Sequence, residues 1–92
     1  MESIINSVNM KEKQISEKKL MHQFAENLKW LRHIHSIKQI EIARYLNIDR
    51  SSYCNYELER TVPKIVTMKM IADFYNIMVD DLINKNLSSN NY

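Results

Sequence analysis

The sequence predicts a small all-α domain of five helices, and three observations carry that prediction. There is no glycine and only one proline among 92 residues, so the many tight turns of a β fold have no residues suited to make them. Apolar residues recur at steps of three and four in several short stretches, which is the period of a helix. Asn, Ser and Asp stand where those stretches stop and start. The length allows one domain, and a hydrophobic fraction of 45% suffices for a modest core.

Residues 1–15 are polar and lack sustained periodicity, so they read as a flexible or partly helical arm. Ser16 is suited to cap a first helix, with Glu17 in its first turn. Leu20, Phe24, Leu28 and Leu31 then fall on one face, which Met21 and Trp30 widen unless they pack against the arm. This helix is expected to stop near His35–Ser36, with Ile37 a buried linker residue. A second helix is expected from about Gln39 to Leu46, with Ile42, Ala43 and Leu46 inward. Asn47 and Ile48 make a turn. Asp49 is a good N-cap for a third helix, about Arg50 to Leu58, from which Tyr53 and Tyr56 face the core. Pro63 marks the next start. Ile65, Met68, Ile71, Ala72 and Tyr75 give the fourth helix its apolar stripe, and Asn76 stops it. Ile77 and Val79 lead into a short fifth helix with Asp80 and Asp81 in its first turn and Leu82 and Ile83 buried. The domain is therefore placed at residues 16–85, and the polar tail 86–92 is expected to be disordered.

Composition narrows the class. No apolar run approaches the ~18–20 residues of a membrane span. The start, MESIINSVNM, has neither a basic n-region nor a long apolar h-region, so no signal peptide is expected. Cys54 is the single cysteine and has no partner for an internal disulfide. A cytoplasmic location is expected on these grounds. The net charge is only +2, but it is unevenly placed. Residues 11–64 hold 11 Lys/Arg and 7 Asp/Glu, a local +4, while residues 1–10 and 65–92 each carry -1. That excess is a weak electrostatic signal by itself.

The stretch Gln39 to Pro63 is the most informative. Two short amphipathic segments joined by a tight turn place one helix across a DNA backbone and the next in the major groove. With Tyr53 and Tyr56 inward, a turn of ~100° per residue presents Arg50, Ser51, Cys54 and Asn55 outward. Arginine reads O6 and N7 of guanine, and asparagine reads N6 and N7 of adenine. Serine hydroxyls at Ser51 and Ser52 donate to bases or phosphates. Arg44, Arg60, Thr61 and Lys64 flank the groove as candidate phosphate contacts, and Gln39 opens the second helix where free N–H groups favour a phosphate.

These residues resemble the phage-repressor/Cro-like helix-turn-helix domains, the XRE family. The family pattern is Gln-x-x-Leu-Ala, six to seven residues to the turn, a recognition helix ending in Glu, then a loop and Pro. It appears here as Gln39, Ile42-Ala43, Leu46-Asn47-Ile48, Arg50 to Tyr56, Glu57 and Pro63. Leu28, Leu31 and Arg32 match the family's first helix, and Ile71-Ala72, Tyr75, Ile77 and Leu82 its last two, so the resemblance covers about residues 20–84. It implies that Gln39 touches a phosphate and braces the recognition helix. It implies base contact by Arg50, Ser51 and Asn55, with Cys54 on the same face, and phosphate contact by Ser52. It also implies an ion pair between Arg32 and Glu57 that ties the first helix to the recognition helix. The chain departs from the family at its usual glycines, which are Ser36, Asn47 and Glu59 here, and at its small caps, which are Lys38, Lys64 and Met78. Each departure costs ~0.5–2 kcal/mol at most. Glu59 also puts a negative charge close to where DNA phosphates pass.

The expected function is sequence-specific double-stranded DNA binding by a transcriptional repressor, a dimer on an inverted-repeat operator. The fifth helix, with Leu82 and Ile83, is the expected dimer surface. Two other readings share the fold: an antitoxin-type regulator that binds a toxin partner, and a protein-interaction module that has lost DNA binding. The modest charge and Glu59 are the support for the last. No Ser-His-Asp set, glycine-rich phosphate loop or paired carboxylates point to an enzyme, and no cofactor is implied. His33 and His35, two apart, point to different faces of a helix and with His22 read as surface histidines, so no metal site is expected. The six Met residues read as core filler.

Overall fold

The structure is a computed structural model describing residues 10–89. Among those residues all regular structure is helical: α1 (Met10–Ile34), α2 (Gln39–Leu46), α3 (Arg50–Glu57), α4 (Ile65–Phe74) and α5 (Val79–Asn84). No helix is long and apolar enough to cross a membrane.

Four helix ends solve the glycine problem in one way. Ser36, Asn47, Glu59 and Asn76 all adopt the left-handed conformation, with φ of 54°, 59°, 63° and 55°. Each N–H bonds back to the last turn, and the N–H of the following residue reaches one carbonyl further: Ile37 to Arg32 (2.9 Å), Ile48 to Ala43 (3.0 Å), Arg60 to Asn55 (2.9 Å) and Ile77 to Ala72 (2.9 Å). This double bond pattern satisfies carbonyls that a helix end leaves orphaned. A side chain carrying Cβ makes it at a cost of ~1–2 kcal/mol. In three of the four the following residue is Ile37, Ile48 or Ile77, partly buried against the core, and that contact offsets the strain. The fourth, after α3, presents Arg60 to solvent instead.

Each helix supplies one large, fully buried side chain to a common core: Leu28, Ile42, Tyr53, Ile71 and Leu82. Phe24, Leu31, Leu46 and Tyr75 complete it, with Ala25, Ala43 and Ala72 letting backbones approach. α1 lies along α5 and α3, α2 packs on α3, and α4 bridges α5 and α2. Asn27, 1% exposed, sits on the buried face of α1. Its Nδ2 donates to the carbonyls of Leu82 (2.8 Å) and Lys85 (2.7 Å), and its Oδ1 accepts from Gln23 Nε2 and from the Leu87 N–H, both at 3.1 Å. It closes the C-terminal end of α5 onto α1.

Several expectations are corrected. α1 begins at Met10, so Ser16 lies inside the helix rather than capping it. Nothing between Met10 and Ser16 breaks a helix, and Lys, Glu and Gln favour one. Residues 1–9 of the expected arm lie outside the described residues. Leu20 is 43% exposed, on the rim of a groove of about 150 Å³ that Met21, Phe24, Tyr56, Val62 and Ile83 also line. Ile65, placed on the stripe of α4, is 88% exposed in the helix's first turn, ahead of the packed part. Leu82 cannot form a dimer surface. It is wholly consumed in the core of one chain, and Ile83 is half-buried. Finally, residues 86–89 form a turn held to Asn27, with Leu87 packed against the core. Residues 90–92 of the expected tail lie outside the described residues.

Candidate nucleic-acid interface

Helix α3 is set in place from both ends. At its start, Asp49 is extended (φ -78°, ψ 162°) and its Oδ1 accepts from the Ser52 N–H (2.7 Å) and the Ser51 hydroxyl (2.9 Å). This is the N-cap that the sequence led one to expect. These bonds, the Ser52 N–H first, hold the Asp49 carboxyl below its usual range. At the other end, the Asn55 carbonyl accepts from the N–H groups of Arg60 (2.9 Å) and Thr61 (3.5 Å), which folds the α3–α4 loop against the helix.

Between them lies Glu57, 5% exposed. Its carboxylate accepts four hydrogen bonds from three helices. Arg32 of α1 donates twice, Nε to Oε2 at 2.7 Å and Nη2 to Oε1 at 3.1 Å. Tyr53 Oη donates to Oε2 at 2.6 Å, and Gln39 Nε2 of α2 to Oε1 at 3.0 Å. Arg32 spends a further N–H on the Ile37 carbonyl (3.1 Å), which fixes the α1–α2 turn. Burial acts most strongly on the Glu57 carboxyl and pushes its pKa up. The hydrogen bonds from Arg32, Tyr53 and Gln39 together outweigh it and hold the group below its ordinary value. Donating to Glu57 raises the pKa of Arg32. Burial and the same carboxylate raise that of Tyr53, so its hydroxyl stays a donor. The expected pair of Arg32 and Glu57 is thus present and is part of a larger buried network. A charge this deep is tolerable only because each lone-pair direction meets a donor.

Gln39 is the link from this network to the surface. While its nitrogen donates to Glu57, its Oε1 accepts from Arg50 Nη1 at 3.0 Å. Its expected bracing role is therefore seen, joining α2 to both ends of α3. No side chain caps α2: Lys38 has no acceptor to offer. Instead the Lys38 N–H donates to Glu41 Oε1 at 2.8 Å, the reverse half of a capping box.

Arg50 and Ser51 are exposed, Ser52, Cys54 and Asn55 are half-buried, and Tyr53 is fully buried with Tyr56 partly so. The outward face of α3 is therefore the polar one expected. Ser51 donates its O–H to Asp49, which leaves its lone pairs free as acceptors. Arg60, Thr61 and Lys64 project from the α3–α4 loop and Arg44 from the last turn of α2, all exposed. Glu59, the negative residue of that loop, has a partner: its Oε2 lies 2.9 Å from His22 Nδ1 of α1. Neither the His22 contact nor the Gln39–Arg50 bond has a sequence signature, since the pairs are 37 and 11 residues apart. Asn27 did leave a signal, being three after Phe24 and four before Leu31, on the face that is otherwise apolar.

Comparison with known proteins agrees with this geometry. The family model for the helix-turn-helix domain matches residues 25–88, more than two thirds of the chain. No curated protein and no solved structure matches the chain. The match spans the last ten residues of α1, the whole helix–turn–helix and the last two helices, and the chain belongs to the helix-turn-helix domain family.

Proposed function

We propose that this protein binds double-stranded DNA in a sequence-specific manner and acts in the cytoplasm as a transcriptional repressor. The observation that carries this reading is the anchoring of α3. A helix of eight residues with a polar outward face is capped at Asp49 and held from beneath by Glu57, itself bound to Arg32 and Gln39. An isolated helix this short is not stable in water, so the network and core exist to present that face. Arg50, Ser51 and Asn55 are the proposed base contacts, with Cys54 beside them. Gln39, Ser52, Arg44, Arg60, Thr61 and Lys64 are the proposed phosphate contacts. The Arg60 position supports this: where the other three helix ends bury an isoleucine, this one exposes a cation. Repression follows by occlusion of a promoter, with a dimer placing two recognition helices in successive major grooves ~34 Å apart. That dimer uses a surface other than Leu82.

Selection of bound sequences from random duplex DNA tests the reading. The expected result is an enriched inverted repeat that is lost in the Arg50→Ala/Asn55→Ala double variant. Affinity for the selected site should fall linearly in log–log terms with salt, as several phosphate contacts require. No enrichment with wild type would sink the proposal and favour a protein-interaction role.

A further inference from the structure

We infer that His22 of α1 is a positioning residue that draws the Glu59 carboxylate off the path of the DNA phosphates, and that DNA affinity therefore rises when the imidazole takes a proton. The inference rests on the DNA-binding reading above and adds a control that acts through pH. The two residues are 37 apart, and His22 precedes residues 25–88, which the family model matches. The contact is therefore made by the part of α1 that lies ahead of the family match. Glu59 is the residue that would otherwise oppose DNA. It holds the left-handed position after α3 (φ 63°), next to Arg60 and Thr61, two of the proposed phosphate contacts. A carboxylate beside them repels the same phosphates that they attract.

Backbone bonds fix this loop but leave the Glu59 side chain undirected: the N–H groups of Glu59, Arg60 and Thr61 all return to carbonyls of α3. What directs the side chain is His22, whose Nδ1 lies 2.9 Å from Glu59 Oε2. The carboxylate is thereby turned toward α1. It borders the apolar groove of Leu20, Met21, Phe24 and Tyr56, where it is the one charged side chain among the described residues. Tyr56 belongs to the core side of α3, whereas Arg50 and Ser51 stand on its exposed face. The hold depends on charge. A neutral imidazole offers one N–H, while a protonated one adds the attraction of an ion pair and offsets the carboxylate. Imidazole changes charge in the range of pH ~5–8. The other charged groups near His22 are on its own helix: Lys18 and Lys19 one turn before it, and Glu26 one turn after, which is paired with Lys29. Glu59 is the charged group it faces from elsewhere in the fold. Phosphates favour the state in which Glu59 is neutralised and held back. Binding DNA and binding the proton therefore assist each other, and affinity increases as pH falls.

The experiment measures affinity for the selected duplex from roughly pH 8 to roughly pH 5.5 at constant salt, for wild type, His22→Gln and Glu59→Gln, with thermal unfolding in parallel. Glutamine at position 22 keeps a donor that cannot take a charge, and at position 59 it keeps the shape and removes the charge. Wild type should bind about two- to fivefold more tightly at the acid end, the scale of one exposed charge pair. His22→Gln should stay near the wild-type alkaline affinity throughout. Glu59→Gln should bind at alkaline pH about as tightly as wild type does in acid, and lose most of the pH dependence. The inference is overturned if His22→Gln keeps the wild-type profile, because His33 or His35 is then responsible. It is equally overturned if Glu59→Gln keeps that profile, because the His22 charge then acts on DNA directly. A merely structural role for His22 would lower the melting temperature and shift affinity alike at every pH, which also overturns it. If wild type binds no duplex at any pH, the DNA-binding reading itself has failed, an outcome distinct from these. Should either variant unfold, magnetic resonance titration of the His22 imidazole in wild type decides the matter. Its midpoint should rise when the duplex is added, and an unchanged midpoint overturns the inference.

Discussion

Two buried polar residues organise different contacts of this domain, and they do so differently. Asn27 and Glu57 each engage four hydrogen bonds, and each is at least 95% buried. Three of Asn27's four partners are backbone groups at the end of α5 and just after it. It therefore fixes where the chain runs. Glu57 binds only side chains, from α1, α2 and α3, and one of these passes the constraint on to Arg50 at the surface. It therefore fixes where an exposed side chain points. Neutral amide and ionised carboxylate suit those tasks. The amide offers donor and acceptor to a helix end that needs both. The carboxylate imposes a single polarity on everything around it.

Removing each residue should separate the two roles. Glu57→Ala carries the largest expected effect, a loss of about 3–5 kcal/mol, because Arg32 is left as an uncompensated, mostly buried charge. Chemical denaturation checks it; a loss below ~1 kcal/mol would show that Arg32 finds water and that the network is not holding α3. Asn27→Ala should cost about 2–3 kcal/mol through the orphaned carbonyls of Leu82 and Lys85, with hydrogen exchange rising at Leu87 and in α5 but not in α3. Equal loosening of α3 would erase the distinction between the two residues.

A smaller effect separates them by pH. The Glu57 carboxyl sits below its ordinary value of 4.5 in the folded chain. The unfolded chain therefore binds a proton there first as pH falls. The stabilisation is present above about 4.5 and is lost as pH drops through the lower folded value. Asn27→Ala should retain this part of the acid dependence, whereas Glu57→Gln should lose it. Melting temperatures of the three proteins between neutral and acid pH measure the difference. Parallel curves for wild type and Glu57→Gln would count against a role for the ionised group.

How much of this was legible in the sequence follows from the range of the forces. The helix limits of α2, the Asp49 cap and the stop at Asn76 are local, set by residues within one turn of each other, and were readable. So was the inward set Ile42, Ala43, Leu46 and Tyr53, because a 3.6-residue period needs only the segment itself. The pair of Arg32 and Glu57 came from family resemblance, since nothing in their spacing of 25 residues announces it. Ser16 misled because a good capping residue is no obstacle inside a helix whose neighbours favour continuing. Ile65 and Leu20 misled because periodicity gives a face, not whether another element reaches it.

The sequence by itself determined five helices, their order and the polar face of α3, since propensity, caps and periodicity act over a few residues. Only the tertiary structure decided that Leu82 is spent inside the core, that Glu59 faces His22, and that Gln39 turns its oxygen toward Arg50. Those outcomes depend on which distant groups come within 3 Å, and on a buried carboxylate that admits donors alone.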